Sequence, residues 1–341
     1  MKNIAFIIFT LASCFSYGQD IHFSQSSETP MLINPAATGV FEGWERVTFN
    51  HKNQWVNAGT KFFTTALAAD LNLFKPRRGK GAYMGVGLQF FNDIGGDSKF
   101  GTRQMALSVS GVVPFNDLNT FSAGLQMGLS QKFGDFSVLN FANQFDGEGF
   151  SSDIPSGEQN NLATFVYSDL SAGLMYRFNN KKVDFTRDDA TDFRIGVAYY
   201  HINKPELKYR LGTVSEQLYS KLVLHTAIVK DFSGSKLGVD AFINQFLQGP
   251  HSETLIGVLL RYRLQTGGKI TGLNQDSYLS VGLAVRVNDA VIPMAKLMYK
   301  SFSFGISYDI TVSKFGQYYR GGGLEFSLSY ANLDFALFKR R

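Results

Sequence analysis

The sequence predicts an all-β fold, a transmembrane outer-membrane β-barrel of about 14 antiparallel strands. Three observations carry that prediction. First, apolar and small polar residues alternate through 301–330: Phe302, Phe304, Ile306, Tyr308 and Ile310 take one parity, Ser301, Ser303, Gly305, Ser307 and Asp309 the other. After a turn-rich break the pattern resumes with Leu324, Phe326, Leu328 and Tyr330 against Gly323, Glu325, Ser327 and Ser329. A period of two is that of a β-strand. Second, one face is uniformly large and apolar while the other is small, hydroxylic or charged, the arrangement of a barrel with lipid outside and a wet interior. Third, the composition is 14% aromatic and 18% charged, with 32 Phe, 15 Tyr and 34 Gly in 341 residues, which suits aromatic girdles and tight turns.

Several classes are disfavoured. No uninterrupted apolar run approaches the roughly 20 residues a spanning helix needs, and a barrel hides its membrane signal by alternation. The net charge of +5 is dispersed, without the basic stripe or motif of a nucleic-acid binder.

Taken in order, residues 1–18 read as a signal peptide: Lys2 supplies a positive start and residues 4–12 an apolar stretch of the length export signals use. Two processing routes stay open, cleavage after Gly18 or lipoprotein processing at Cys14. Cys14 is the single cysteine, so no disulfide forms within the chain. Residues 19–43 read as an extended periplasmic leader with Asn34, Pro35 and Gly39 as turn formers. The barrel is expected over 44–332 and a basic tail over 333–341.

Strands are expected near 45–55, 61–73, 83–90, 105–109, 121–130, 170–178, 193–202, 221–232, 236–247, 254–263, 279–285 and 291–299, each with period-two patterning. The 301–330 pair follows. Closure then requires the last strand to pair with the first, since a barrel leaves no open edge. Glu325 and Asp309 would point into the lumen, where Arg46 of the first strand could meet a carboxylate.

Loop lengths give a second line of argument, because such barrels have short periplasmic turns and longer outer loops. With both termini periplasmic, the two longest connections, 134–163 and 203–220, fall outside; those at 115–118, 233–234 and near 300 fall inside and are short. The connection at 288–290 is the exception. A β-sandwich also alternates strand by strand, but the linker composition expected of sandwiches at this length is missing.

Candidate chemistry is sparse. The five histidines, His22, His51, His201, His225 and His251, show no metal-ligand spacing, and His51 and His225 read as lumen or girdle residues. Asp93 and Asp97 flank a glycine turn whose calcium pattern is incomplete. Arg261 and Arg263 either line an anion path or fill the lumen against inward acids. No serine stands out as a hydrolase nucleophile. The sequence supports no catalytic residue, no metal site and no cofactor.

Three segments bear a family resemblance: Asp20-Ile21-His22-Phe23-Ser24-Gln25 with Asn34-Pro35-Ala36-Ala37-Thr38-Gly39 at the start, His201-Ile202-Asn203-Lys204-Pro205 in the middle, and Tyr308-Asp309-Ile310-Thr311-Val312-Ser313 with Gly322-Gly323-Leu324-Glu325-Phe326-Ser327-Leu328-Ser329-Tyr330 at the close. Together they resemble the PorP/SprF membrane proteins of the type IX secretion system. Thr311 stands where Asn is common. The resemblance singles out Phe23, Ser24, Gln25, Asn34, Pro35, Gly39, Tyr308, Asp309, Ser313 and Glu325 as motif residues without assigning them a role.

The resemblance implies a non-enzymatic outer-membrane barrel working with the type IX secretion or gliding machinery. It also implies help in the export or surface attachment of a large secreted protein such as an adhesin, by engaging that protein's C-terminal domain. Its partners would be that substrate, other type IX components and outer-membrane lipid. A porin-like channel for small solutes is the alternative reading. The leader serves equally well as a lumen plug or as a binding element.

Overall fold

A computed structural model describes residues 20–55, 61–76, 81–135, 138–151, 153–157, 164–180, 190–208, 216–265, 277–313 and 322–333. The expected export signal at 1–18, Cys14 and all of the expected basic tail but Leu333 lie outside these residues.

The chain forms a closed antiparallel barrel. Its strands are β1 (Glu45–Gln54), β2 (Phe62–Leu73), β3 (Tyr83–Gly95), β4 (Phe100–Pro114), β5 (Asn119–Phe133), β6 (Phe165–Asn179) and β7 (Thr191–Tyr200). They continue as β10 (Lys221–Asp231), β11 (Leu237–Gln248), β12 (His251–Gln265), β13 (Ser277–Arg286), β14 (Ala290–Tyr299), β15 (Phe302–Thr311) and β16 (Gly323–Ala331). A two-residue hairpin, β8 (Glu206–Leu207) with β9 (Glu216–Gln217), stands in the β7–β10 connection. That makes 14 barrel strands, the number expected.

Each strand pairs with its neighbours in the chain, and β16 closes onto β1, with Phe49 opposite Leu328 and Lys52 opposite Glu325. Closure therefore satisfies every edge. Pro293 has no N–H to donate, and the β14–β15 pairing lapses at that point, between Val291↔Ile310 and Met294↔Ser307.

The fold is inside-out relative to a soluble protein. On β15, Phe302, Phe304, Ile306, Tyr308 and Ile310 are exposed, while Ser307 and Asp309 are buried. On β1, Val47 and Phe49 face outward while Arg46, Thr48, Asn50 and Lys52 are buried. The apolar belt serves as a lipid-facing surface, so the packed interior is assembled largely from polar side chains. Buried polar groups must find partners, and the chain's own leader supplies many of them.

Residues 20–43 run through the lumen. The leader contains no strand; it is built from a 3-10 turn (Ser26–Glu28), one α-turn (Pro30–Ile33) and a second 3-10 turn (Pro35–Ala37). Pro30 and Pro35 each sit at the first position of a turn, where the missing N–H is harmless. Asp20 lies at the mouth formed by the ends of β7 and β11 and the start of β10, through contacts to His201, Gln248 and Lys221. Trp44 donates its backbone N–H to Asn332 at the opposite mouth.

The first mouth carries the 134–164 and 201–220 connections and is called the loop mouth below. The second, where β1 begins and β16 ends, is the terminal mouth. Asp20 and Asn332 thus lie at opposite mouths; the expectation that both termini are periplasmic concerns residues outside those described.

The barrel wall is cut back where the leader passes. A side chain at Gly85 would lie 2.3 Å from the Thr38 carbonyl oxygen, and one at Gly124 would lie 2.4 Å from the Pro35 backbone. Gly39 itself has φ +72° and would clash with Gly85, so the turn there needs glycine twice over.

Candidate functional site

The densest polar constellation lies in the lumen near the loop mouth, where β1, β13, β15 and β16 converge on the leader dipeptide Ser24–Gln25. Alternation along each strand delivers Lys52, Arg286, Ser307, Asp309, Glu325 and Ser327 to the same interior. Glu325 is 0% exposed. Its carboxylate accepts the backbone N–H groups of Ser24 and Gln25, one on each oxygen, both at 2.8 Å.

The Ser24 hydroxyl donates to Asp309 Oδ1 at 2.7 Å. Arg286 Nη2 donates to Ser24 Oγ at 2.9 Å and to Asp309 Oδ2 at 3.0 Å, and Lys52 Nζ lies 3.1 Å from Asp309 Oδ2. The Gln25 carboxamide donates to the Glu325 carbonyl at 3.0 Å and to Ser307 Oγ at 3.3 Å, and accepts from Ser327 Oγ at 2.7 Å. Charge-assisted hydrogen bonds of this kind are the strong ones, and the site reads both backbone and side chains of the dipeptide.

Phe23, just upstream, packs with Ala66 and Phe91. Glu28 forms an ion pair with Lys296.

Midway along the lumen, Asn34 caps the second 3-10 turn by accepting the Ala36 N–H at 2.8 Å. Its amide reaches the carbonyls of Leu174 at 3.0 Å and Val197 at 3.3 Å, and it lies 2.9 Å from His225 Nε2. Ser122 and Ser110 donate to the Ala36 and Thr38 carbonyls. At the terminal end, Gly39 N–H donates to Asp70 at 2.8 Å. The same carboxylate receives Arg46 through two hydrogen bonds of 2.9 and 2.7 Å.

A further contact at the loop mouth was not legible as a site in the sequence. His201 Nε2 lies 2.6 Å from Asp20 Oδ2, and its Nδ1 lies 2.9 Å from Asp169 Oδ1. Burial would lower the His201 pKa, but these two carboxylates push it up to about 9. Burial likewise opposes ionisation of Asp20, and His201 and Lys221 overcome it, holding the carboxyl well below its ordinary range. His22 Nδ1 lies 3.4 Å from Glu253 Oε2. The signal for this latch was present only as the separated motif residues Asp20 and His201.

The structure thus brings Ser24, Gln25, Asp309 and Glu325 together and distributes Phe23, Asn34, Pro35 and Gly39 along the leader. Tyr308 does not join them; it points outward and is 46% exposed. Ser313 lies past the end of β15, its N–H donating to the Asp289 carbonyl. Arg46 does not meet Glu325 or Asp309. In the antiparallel register it stands opposite Ala331, at the far end of β16 from Glu325, and pairs with Asp70 instead.

Arg261 and Arg263 face Asp231 at 3.5 and 3.3 Å and stack on Tyr278, which fills the lumen. Asp93 accepts from Thr64 at 2.6 Å. Among the described residues no cluster of three or more His, Cys, Asp or Glu is arranged to hold a metal ion.

The family model for the type IX secretion system membrane protein PorP/SprF matches residues 15–330. The chain belongs to that family. It is accordingly a type IX secretion component, and its barrel fold belongs to the outer membrane. No curated protein matches the sequence.

Solved structures of similar fold include the translocator domain of the autotransporter NalP from Neisseria meningitidis, at 10% identity and TM-score 0.40, covering 90% of this chain and 96% of that one. The β domain of the Bordetella autotransporter BrkA aligns at 12% identity and TM-score 0.42, covering 85% and 100%. The CymD monoaromatic hydrocarbon channel aligns at 10% identity and TM-score 0.45, covering 92% and 95%.

Proposed function

We propose that this PorP/SprF chain is a non-enzymatic barrel that helps export, or hold at the cell surface, one large secreted protein such as an adhesin, by engaging its C-terminal domain. The family match, spanning both the leader motifs and the barrel, carries the reading. The occupied lumen supports it: residues 20–43 bond to strands around the wall, from Asp70 on β2 through Asn244 on β11 to Glu325 on β16. A partner would then meet the barrel from outside or at a mouth rather than by diffusing through a standing pore. In this reading 1–18 is the cleaved export signal, the terminal mouth faces the periplasm and the loop mouth faces outward.

The motif residues Phe23, Ser24, Gln25, Asn34, Pro35, Gly39, Asp309 and Glu325 serve to seat the leader. Deleting the gene should leave one large exported protein missing from the cell surface while others are displayed normally. Unaltered surface display of every such protein overturns the reading.

A further inference from the structure

The barrel does not need its leader to be closed. All 14 strands are hydrogen-bonded to two neighbours, and the leader contributes no strand to the ladder. Withdrawing residues 20–43 breaks no sheet hydrogen bond. Much of the wall's charge pairing is independent of it: Arg46 keeps Asp70, Lys52 and Arg286 keep Asp309, and Arg261 and Arg263 keep Asp231, whereas Lys296 gives up Glu28 and Lys221 gives up Asp20.

These strand-to-strand pairs lie on inward faces of the barrel, so water could solvate them in place of the leader. A barrel of about this strand number lies between the eight-stranded size that side chains fill and the porin size that is open. Wall side chains still fill part of the lumen, at Arg261, Arg263 and Tyr278 and in the cluster of Phe242, Leu255, Leu259, Ile292 and Met294, so the aqueous passage opened is the space that residues 20–43 occupy.

The fastening is densest at one dipeptide. Ser24 and Gln25 donate to the two carboxylates of the constellation near the loop mouth, Asp309 and Glu325, and Ser24 Oγ accepts from its two cations, Lys52 and Arg286. Other polar contacts are spread along the leader: Asp20 with His201, Lys221 and Gln248, Ser26 with Asn244, Glu28 with Lys296, and then Asn34, Ala36, Thr38 and Gly39. Apolar packing of Phe23, Met31, Ile33, Ala36 and Val40 adds to the seat, so the resting state is the closed one.

We infer that the barrel is a latent channel for hydrated ions and small polar solutes, held shut by its own leader, with the Ser24–Gln25 clamp on Asp309, Glu325, Ser307 and Ser327 as the catch. This activity is separate from the secretion role and stands or falls on its own measurement.

The test uses the full chain, purified in detergent and placed in planar lipid bilayers. Wild type should conduct rarely. S24A/Q25A removes the side-chain half of the clamp, several hydrogen bonds to charged or buried partners, and should raise the frequency of conductance steps at least ~tenfold.

A second variant guards against a damaged barrel. A Cβ built at Gly173 would lie 3.0 Å from Asn34 Cγ, the position that a cysteine sulfur there would take, so Asn34→Cys with Gly173→Cys brings two thiols within bridging range. This pair should be silent when oxidised, even in the S24A/Q25A background, and should recover conductance on reduction. Heat-modifiable migration on gels verifies the closed barrel in each case. Equal step frequencies in wild type and S24A/Q25A, or equal conductance of the bridged and reduced forms, overturn the inference.

Discussion

Lys52 of β1 reaches past its cross-strand neighbour Glu325 to place its ammonium 3.1 Å from Asp309 of β15. Both side chains are almost wholly buried. The ion pair spans the seam where the first strand meets the last, and it leaves the Glu325 carboxylate free to take the two leader N–H groups. One carboxylate therefore balances the wall while the other holds the leader.

Asp309→Asn tests that division. It leaves Lys52 with no full counter-charge at Asp309, while Arg286 retains Glu253 and Asp289. Removing one partner of a buried pair costs about 3 kcal/mol. Denaturant midpoints in detergent micelles should fall accordingly, and Glu325→Gln, which keeps an acceptor for the leader, should fall less.

Two glycines with nearly the same backbone separate conformational cost from steric cost. Gly39 has φ +72° and Gly96 φ +73°. A Cβ at Gly39 would meet Gly85 Cα at 2.6 Å, whereas at Gly96 nothing lies within 4 Å. Gly96→Ala should cost about 1 kcal/mol, the left-handed penalty alone. Gly39→Ala should cost clearly more and should expose the leader to added protease, which Gly96→Ala should not.

The strands were legible because alternation is a local property: Phe302 to Ile310 specify a two-faced strand whatever surrounds them. Closure was legible because β16 has no other free edge to pair with. The Glu325 clamp was only half visible. Parity gave the carboxylate its inward direction, but nothing local told that its partners would be backbone N–H groups 300 residues earlier in the chain.

The Arg46 expectation went astray for a similar reason. Adjacent strands were known to pair, but the antiparallel register puts Arg46 and Glu325 at opposite ends. Asp70, which takes Arg46, lies on the other neighbouring strand, β2. The His201 latch joins a loop to the leader start, and neither carries a periodic signal.

That latch sets a pH dependence. His201 is raised from 6.5 to about 9 by Asp20 and Asp169 against the opposing effect of burial; Lys221 and Tyr200 also face it. A group whose folded pKa is raised contributes stability that is full below its unfolded value and is lost as pH rises through the folded one. Seating of the leader's first residues should therefore weaken between about pH 6.5 and 9, read as faster amide exchange at Asp20–His22 beyond the intrinsic rate increase. His201→Asn should remove that extra dependence. An extra dependence unchanged by the substitution would count against the latch.

The outward face offers the sharpest contrast with a soluble barrel. Phe302 and Ile306 are nearly equally exposed, at 43% and 45%, so in water a lysine at either position should cost little. In a bilayer depth decides. Ile306 lies mid-strand on β15 and Phe302 at its terminal-mouth end. A lysine at the bilayer midplane costs about 2–4 kcal/mol and near the interface about 0–1 kcal/mol. Reversible denaturant unfolding from lipid vesicles should show Ile306→Lys destabilised well beyond Phe302→Lys. The gap should shrink in short-chain detergent, where the apolar belt is thinner and lysine can reach water. Equal losses at the two positions in vesicles would mean that the exposed apolar belt of β15 does not face lipid.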